Sequence, residues 1–234
     1  MEIANQVEIK DIPYKQVSKT LDHALLKPEM TEADIIDGCS MAKKYDIAAV
    51  SVKPCYLPLV VKELEGSNVA AGTVVSFPHG HSTPAVKVYE AINGVENGAV
   101  ELDIVMNIGA LRSKAYDYVS DEIGAIVQAV GDQALVKVIL ENHYLDRDEI
   151  VKACQILEGA GVDFVKTATG YADSGATVKD IKLMRKTVNA KIQVKAAGGI
   201  RTLADVLAAI NAGAARVGTS ATESILEEYL AKQQ

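Results

Sequence analysis

The sequence lacks an excess of positive charge. Its 24 lysines and arginines are outnumbered by 31 aspartates and glutamates, for a formal net charge of -7. That balance argues against nucleic acid or an anionic membrane surface as the main partner. A small anion remains admissible, because a local basic pocket can sit in an acidic protein. No apolar run approaches the ~20 residues of a membrane helix. The first residues lack the basic-then-apolar pattern of a secretory leader, so a cytoplasmic protein is expected. Cysteine is scarce and odd in number. Cys39, Cys55 and Cys154 show no C-x-x-C spacing, which argues against a disulfide frame or a structural zinc. Cys39 and Cys154 fall in helical stretches and read as packing residues, and Cys55, after Pro54, as a more exposed one. Linkers and low-complexity segments are also missing. With 49% hydrophobic and 24% charged residues, the 234-residue chain reads as one soluble domain, residues 1–234.

What is present is an alternation. Residues 1–15 are weakly patterned and read as a short helical arm. After them, short β-branched or apolar runs alternate with longer stretches of helical period. The expected strands are Thr20–Ala24, Ala48–Val52, Val69–Ser76, Ala99–Met106, Ala134–Glu141, Asp163–Lys166, Ile192–Ala196 and Ala215–Gly218. Helices are expected to begin near Glu32, Tyr56, Pro84, Ser113, Arg147, Val178, Leu203 and Ala221. Five of these starts place a capping side chain three residues before a carboxylate: Thr31 and Asp34, Asp146 and Glu149, Thr177 and Asp180, Thr202 and Asp205, Ser220 and Glu223. Thr83-Pro84 sets a proline just inside another. Eight strand–helix units without a break predict an α/β fold, a closed (β/α)8 TIM barrel. An open doubly wound sheet would usually carry a Gly-rich loop after its first strand. Here that strand is followed by Leu25-Leu26-Lys27-Pro28.

In such a barrel, function collects at the C-terminal strand ends. Parallel strands should read as nearly continuous apolar runs. Three lysines interrupt them, in Val136-Lys137-Val138, Val165-Lys166-Thr167 and Val194-Lys195-Ala196, and one carboxylate does, in Leu102-Asp103-Ile104. Charges inside strands are costly unless paired. They suggest an interior polar cluster, which is either a salt-bridged plug or a reactive centre. Lys166 and Lys195, on adjacent strands, would repel, so one gives up its proton more readily and becomes an amine nucleophile. The two would titrate as a coupled pair. Asp103 can hold the second lysine charged or relay a proton. An imine-forming aldolase requires that combination.

Glycine-rich loops form a second signal. Ala197-Gly198-Gly199 after strand seven and Gly218-Thr219-Ser220 after strand eight lie where many barrels bind phosphate, and Gly170 can join them. The same glycines would also serve plain tight turns. His79-Gly80-His81 lacks a nearby third ligand, so no metal is expected there. Tyr229, in the pattern Ile225-Leu226…Tyr229-Leu230, reads as helix packing.

Six blocks together resemble the 2-deoxyribose-5-phosphate aldolase family, the class I, Schiff-base type. They are Leu21-Asp22-His23-Ala24-Leu25-Leu26, Ser76-Phe77-Pro78-His79-Gly80, Glu101-Leu102-Asp103-Ile104-Val105, Lys137-Val138-Ile139-Leu140-Glu141, Phe164-Val165-Lys166-Thr167-Ala168-Thr169-Gly170 and Val194-Lys195-Ala196-Ala197-Gly198-Gly199-Ile200-Arg201-Thr202. They run in family order across about residues 20 to 222. The resemblance implies Lys166 as the Schiff-base lysine, Lys195 as the neighbour that lowers its pKa and Asp103 as the proton-relay carboxylate. Asp22 and Lys137 would belong to the surrounding polar network. Thr169, Gly170, Gly198, Gly199, Thr219 and Ser220 would line the sugar and phosphate site. The implied reaction is reversible cleavage of 2-deoxy-D-ribose 5-phosphate to D-glyceraldehyde 3-phosphate and acetaldehyde, with no metal or organic cofactor. A related Schiff-base aldolase or transaldolase with another donor or acceptor is the alternative. Four places depart from the family pattern: Ala24 for a usual threonine, Ser51 and Lys53 in strand two, Ala168 for a common serine, and Ala221-Thr222 in the last loop. Lys53 is expected either to contact an acid group of the substrate or to be solvated. A homodimer or homotetramer fits such barrels, although no helix shows an unmistakable extra apolar face.

Overall fold

The computed structural model describes residues 12–233; most of the expected N-terminal arm lies outside them. Eight parallel strands close in sequence order into a (β/α)8 TIM barrel. They are β1 Leu21–Leu25, β2 Ala49–Val52, β3 Ala70–Val75, β4 Glu101–Val105, β5 Leu135–Ile139, β6 Phe164–Lys166, β7 Gln193–Ala197 and β8 Arg216–Thr219. The helices are α1 Tyr14–Ser18, α2 Glu32–Lys44, α3 Leu57–Leu64, α4 Pro84–Glu96, α5 Ile108–Arg112, α6 Tyr116–Val130, α7 Arg147–Ala160, α8 Val178–Thr187, α9 Leu203–Asn211 and α10 Thr222–Ala231.

The expected strands are all present; β1, β7 and β8 begin and end one residue later than expected, and the other five are trimmed at their ends. Glu141 lies past β5, in a left-handed conformation with φ 56°. One helix expected near Ser113 is two. Asn107 caps α5 by accepting from the Ala110 N–H, and Lys114, at φ 60°, separates it from α6. The capping boxes at Thr31, Asp146 and Thr202 form in full, each worth about 1 kcal/mol. Thr177 makes only the forward half of its box. The Ser220–Glu223 box does not form. The cap position of α10 falls on Ala221, whose N–H is taken by the Thr219 hydroxyl instead.

Side chains along each strand alternate between two environments. Val50, Val52, Leu102, Ile104, Val136, Val138, Val165, Val194, Ala196 and Val217 face outward and form one apolar layer with the helices. The intervening residues face the lumen, and there the charges collect. Tyr229 packs as expected: its hydroxyl donates to the Ile12 carbonyl at 2.6 Å and its ring meets Tyr14 edge-on at 5.7 Å. Cys39 and Cys154 are fully buried, their thiols pushed up to about 11 and about 12 by burial, and Cys55 is exposed.

Candidate active site

Ion pairs between strands that are not neighbours must pass through the lumen, and several do. Asp103 on β4 is the hub. Its Oδ2 takes both Lys166 Nζ, at 2.5 Å, and Lys195 Nζ, at 2.7 Å, and its Oδ1 takes Lys137 Nζ at 3.1 Å. Lys195 also pairs with Asp22 Oδ2 at 2.7 Å. Lys137 reaches Glu101 at 2.5 Å, and Arg216 bridges Asp22 and Glu101 at 2.5 and 2.8 Å. Register sets these meetings: Lys166 lies beside Lys195, and Asp103 beside Lys137.

The cluster holds four cations (Lys137, Lys166, Lys195, Arg216) and three carboxylates (Asp22, Glu101, Asp103). It balances when one cation is neutral, and the contacts show which. Lys137 touches three carboxylates, and Lys195 and Arg216 two each. Among the described residues Lys166 has only Asp103. Burial first, and then the charge of Lys195, outweigh Asp103 and hold Lys166 at about 8. At pH 7 about one-tenth of it is then free amine, against about three parts in ten thousand for an ordinary lysine. Burial pushes the Asp22 and Asp103 carboxylates up. Lys195, Lys137 and Arg216 outweigh it at Asp22, bringing it to about 2, and Lys137, Lys166 and Lys195 hold Asp103 well below the usual range. Lys137 is raised by Asp103, Asp22 and Glu101 against the effect of burial. Burial is the larger cause of the lowering of Lys166, and the charge of Lys195 adds to it.

Lys166 and Lys195 open onto a cavity of about 410 Å³ at the C-terminal barrel mouth. Asp22, Thr169, Gly170, Gly198, Gly199, Thr219 and Ser220 line it, as do Ala24 and Ser51. Asp103 and Lys137 are not among its lining residues; they lie behind the two lysines. Gly198 and Gly199 have φ of 90° and 78°, and a Cβ on Gly198 would sit 2.9 Å from Gly175 Cα. Glycine is therefore required for this turn, and a backbone without side chains forms that wall. Two hydroxyls are already engaged. Thr219 donates to the Ile200 carbonyl at 2.7 Å, and Thr169 bonds the Glu141 carboxylate.

Lys53 does not line the cavity. Its Nζ donates to the Lys27 and Pro28 carbonyls at 2.7 and 3.2 Å, fastening the loop after β1. The cations at the rim are Lys27 and Arg201. His23, in the middle of β1, faces outward to Thr222 at 2.9 Å, and burial brings it to about 4. Arg216 and Tyr171 were not expected in the site. Arg216 gives the same signal as the lysines, a charge in an apolar strand. Tyr171 spans the mouth from the β6 loop, its hydroxyl donating to the Leu26 carbonyl at 2.8 Å and its ring edge-on to Phe77 at 5.4 Å. His79 and His81 lie with ring centroids 5.7 Å apart. Among the described residues no group of three or more His, Cys, Asp or Glu is placed to hold a metal ion.

Residues 16–223 match a family model described as DeoC/LacD family aldolase. A deoxyribose-phosphate aldolase of Clostridium novyi is 52% identical over 211 residues, which is 90% of this chain and 95% of that protein. One from Caldanaerobacter subterraneus is 47% identical over 222 residues, 94% of this chain and 96% of that protein. The solved tetrameric deoxyribose phosphate aldolase of Aeropyrum pernix is 30% identical with a TM-score of 0.88, covering 99% of this chain and 98% of that one.

Proposed function

We infer that this chain, which belongs to the DeoC/LacD family of aldolases, is a lyase that reversibly cleaves 2-deoxy-D-ribose 5-phosphate to D-glyceraldehyde 3-phosphate and acetaldehyde. The observation that carries the chemistry is a buried lysine, at about 8, open to a cavity and sharing one carboxylate oxygen with a second lysine. Neutral Lys166 Nζ adds to the aldehyde carbon of the open-chain sugar, and loss of water leaves a protonated imine. A base takes the proton of the 3-hydroxyl. The C2–C3 bond breaks, its electron pair passing to the iminium as an enamine, and glyceraldehyde 3-phosphate departs. Protonation of the enamine carbon and addition of water release acetaldehyde and restore the amine.

Each step moves a proton, and Asp103 with Lys195 is the group placed to move it. Lys195, between Asp22 and Asp103, remains the proton donor. Lys137 and Asp22 hold Asp103 and Lys195 in place. The phosphate is assigned to the wall of Gly170, Gly198, Gly199, Thr219 and Ser220, with Lys27 and Arg201 at its rim. Ala24 and Ser51 leave that part of the lumen lined by small side chains, where acceptor preference would be set. No described helix is long and apolar enough to cross a membrane, and a cytoplasmic catabolic role fits the reading. A homodimer or homotetramer fits the reading, and the likeness to the tetrameric Aeropyrum pernix structure supports it.

A screen of aldehyde and ketone donors against glyceraldehyde 3-phosphate tests the assignment. Acetaldehyde is expected to be the best donor; preference for a phosphorylated ketone donor would instead indicate a related aldolase.

Lys195→Leu is expected to lose most activity and to shift the acid limb of the pH profile upward. It removes one charge that lowers Lys166 and leaves Asp103 freer to stabilise its ammonium. Burial remains, so the midpoint should stop short of the ordinary 10.5. A pH–rate profile of the variant checks this; an unchanged midpoint would remove Lys195 from the pKa-lowering role.

A further inference from the structure

Behind β4, away from the cavity, lies a second ionic site. Lys87 on α4 and Glu122 on α6 pair at 2.9 Å, and both side chains are fully buried. Burial disfavours both charges, and an apolar pair would fill the space at a lower desolvation cost. The pair does more than link two helices. Lys87 Nζ donates to the Val105 carbonyl at 2.8 Å, and Glu122 Oε2 accepts the Asn107 N–H at 3.1 Å. These peptides bracket the end of β4, two and four residues beyond Asp103. Asn107 in turn caps α5. One turn along α4, Glu90 accepts the Ser76 N–H at 2.7 Å just past β3, the strand beside β4. Side chains from α4 and α6 therefore hold the functional ends of β3 and β4. Lys87 and the Asn107 N–H both meet Glu122 at the same oxygen, Oε2.

We propose that Lys87 and Glu122 are positioning residues for the reaction: they fix the end of β4, and so set the Asp103 carboxylate between Lys166 and Lys195. The inference rests on the proposed role of Asp103. Neither residue touches the cavity, so substrate binding should be spared. A displacement of about 1 Å at a reacting group costs on the order of 10²-fold.

The test is the double variant Lys87→Met with Glu122→Leu, which removes both charges and keeps the volume apolar. Its kcat is expected to fall 10- to 100-fold, with KM within about twofold of the parent. Labelling of Lys166 by an amine reagent across pH, followed by peptide mass spectrometry, reads the Asp103–Lys166 contact without turnover. The parent should show a midpoint near about 8. The variant should show a lower one, because a displaced Asp103 no longer supports the ammonium. Glu122→Gln, which keeps shape and an acceptor for Asn107, should move both readings the same way by less, and serves if the double variant does not fold. A folded double variant, or Glu122→Gln in its place, with the parent's kcat and labelling midpoint would overturn the proposal. If the parent fails to cleave the sugar phosphate while the midpoint still shifts, the functional reading falls and the positioning role stands.

Discussion

Lys166→Met is expected to abolish cleavage while leaving the barrel at least as stable as the parent. Without the amine no imine forms, and loss of a nucleophile costs on the order of 10⁵- to 10⁶-fold in kcat. The stability half of the expectation is less usual. Lys166 is the surplus cation of the lumen, with one carboxylate contact where its neighbours have two or three. A folded pKa of about 8, below the ordinary 10.5, means that the protonated side chain favours the unfolded state. The parent should therefore gain stability as pH rises from about 8 toward 10.5. The methionine variant should lack that rise and be more stable at pH 7, by up to about 2 kcal/mol. Denaturant unfolding at pH 7 and pH 10 checks this. A variant clearly less stable than the parent at pH 7 would mean that Lys166 is a structural ion-pair partner and carries no strained proton.

Asp103→Asn should have the largest effect on stability. Asp103 is fully buried and touches three lysines. Discharging it leaves four cations against two carboxylates, and breaking a buried pair in this way costs about 3–5 kcal/mol. Part of the loss is relieved because Lys166, deprived of its supporting carboxylate, gives up its proton more easily. The acid limb of any residual activity should therefore move to lower pH, opposite to Lys195→Leu. Activity itself should fall 10²- to 10⁴-fold, the usual worth of a positioned proton-transfer group. The parent's own acid behaviour follows the same sign. Asp22 stands at about 2 against an ordinary 3.8, so its contribution is complete above 3.8 and lost as pH falls through about 2. Urea unfolding of the variant, and an acid titration of the parent followed by circular dichroism, measure the two effects.

The barrel was legible because each of its units announces itself. Thr31, Asp146 and Thr202 cap their helices as their spacing predicts, and the outward-facing valines alternate with what lies inside. The lumenal charge cluster was legible for the same reason in reverse: a lysine at a position whose neighbours are valine has nowhere to go but the lumen. Arg216 carries that signal too. It sits at the very start of a four-residue strand, where sequence cannot separate strand from preceding turn, and only closure of β8 on β1 brings it to Asp22. Lys53 stayed open between two readings because a strand-end lysine can turn either inward or back along the surface, and the carbonyls of Lys27 and Pro28 draw it back along the surface. Lys87 and Glu122 gave no signal at all. Apart from Glu90, the other charged residues of α4 and α6 are exposed, and only the packing of α4 against α6 turns these two toward each other.

The central claim is that Lys166, and neither lysine beside it, forms the covalent bond. Borohydride reduction in the presence of acetaldehyde, followed by peptide mass spectrometry, tests it directly. A two-carbon adduct confined to Lys166 is the predicted result. No adduct, or one confined to Lys195 or Lys53, would contradict it.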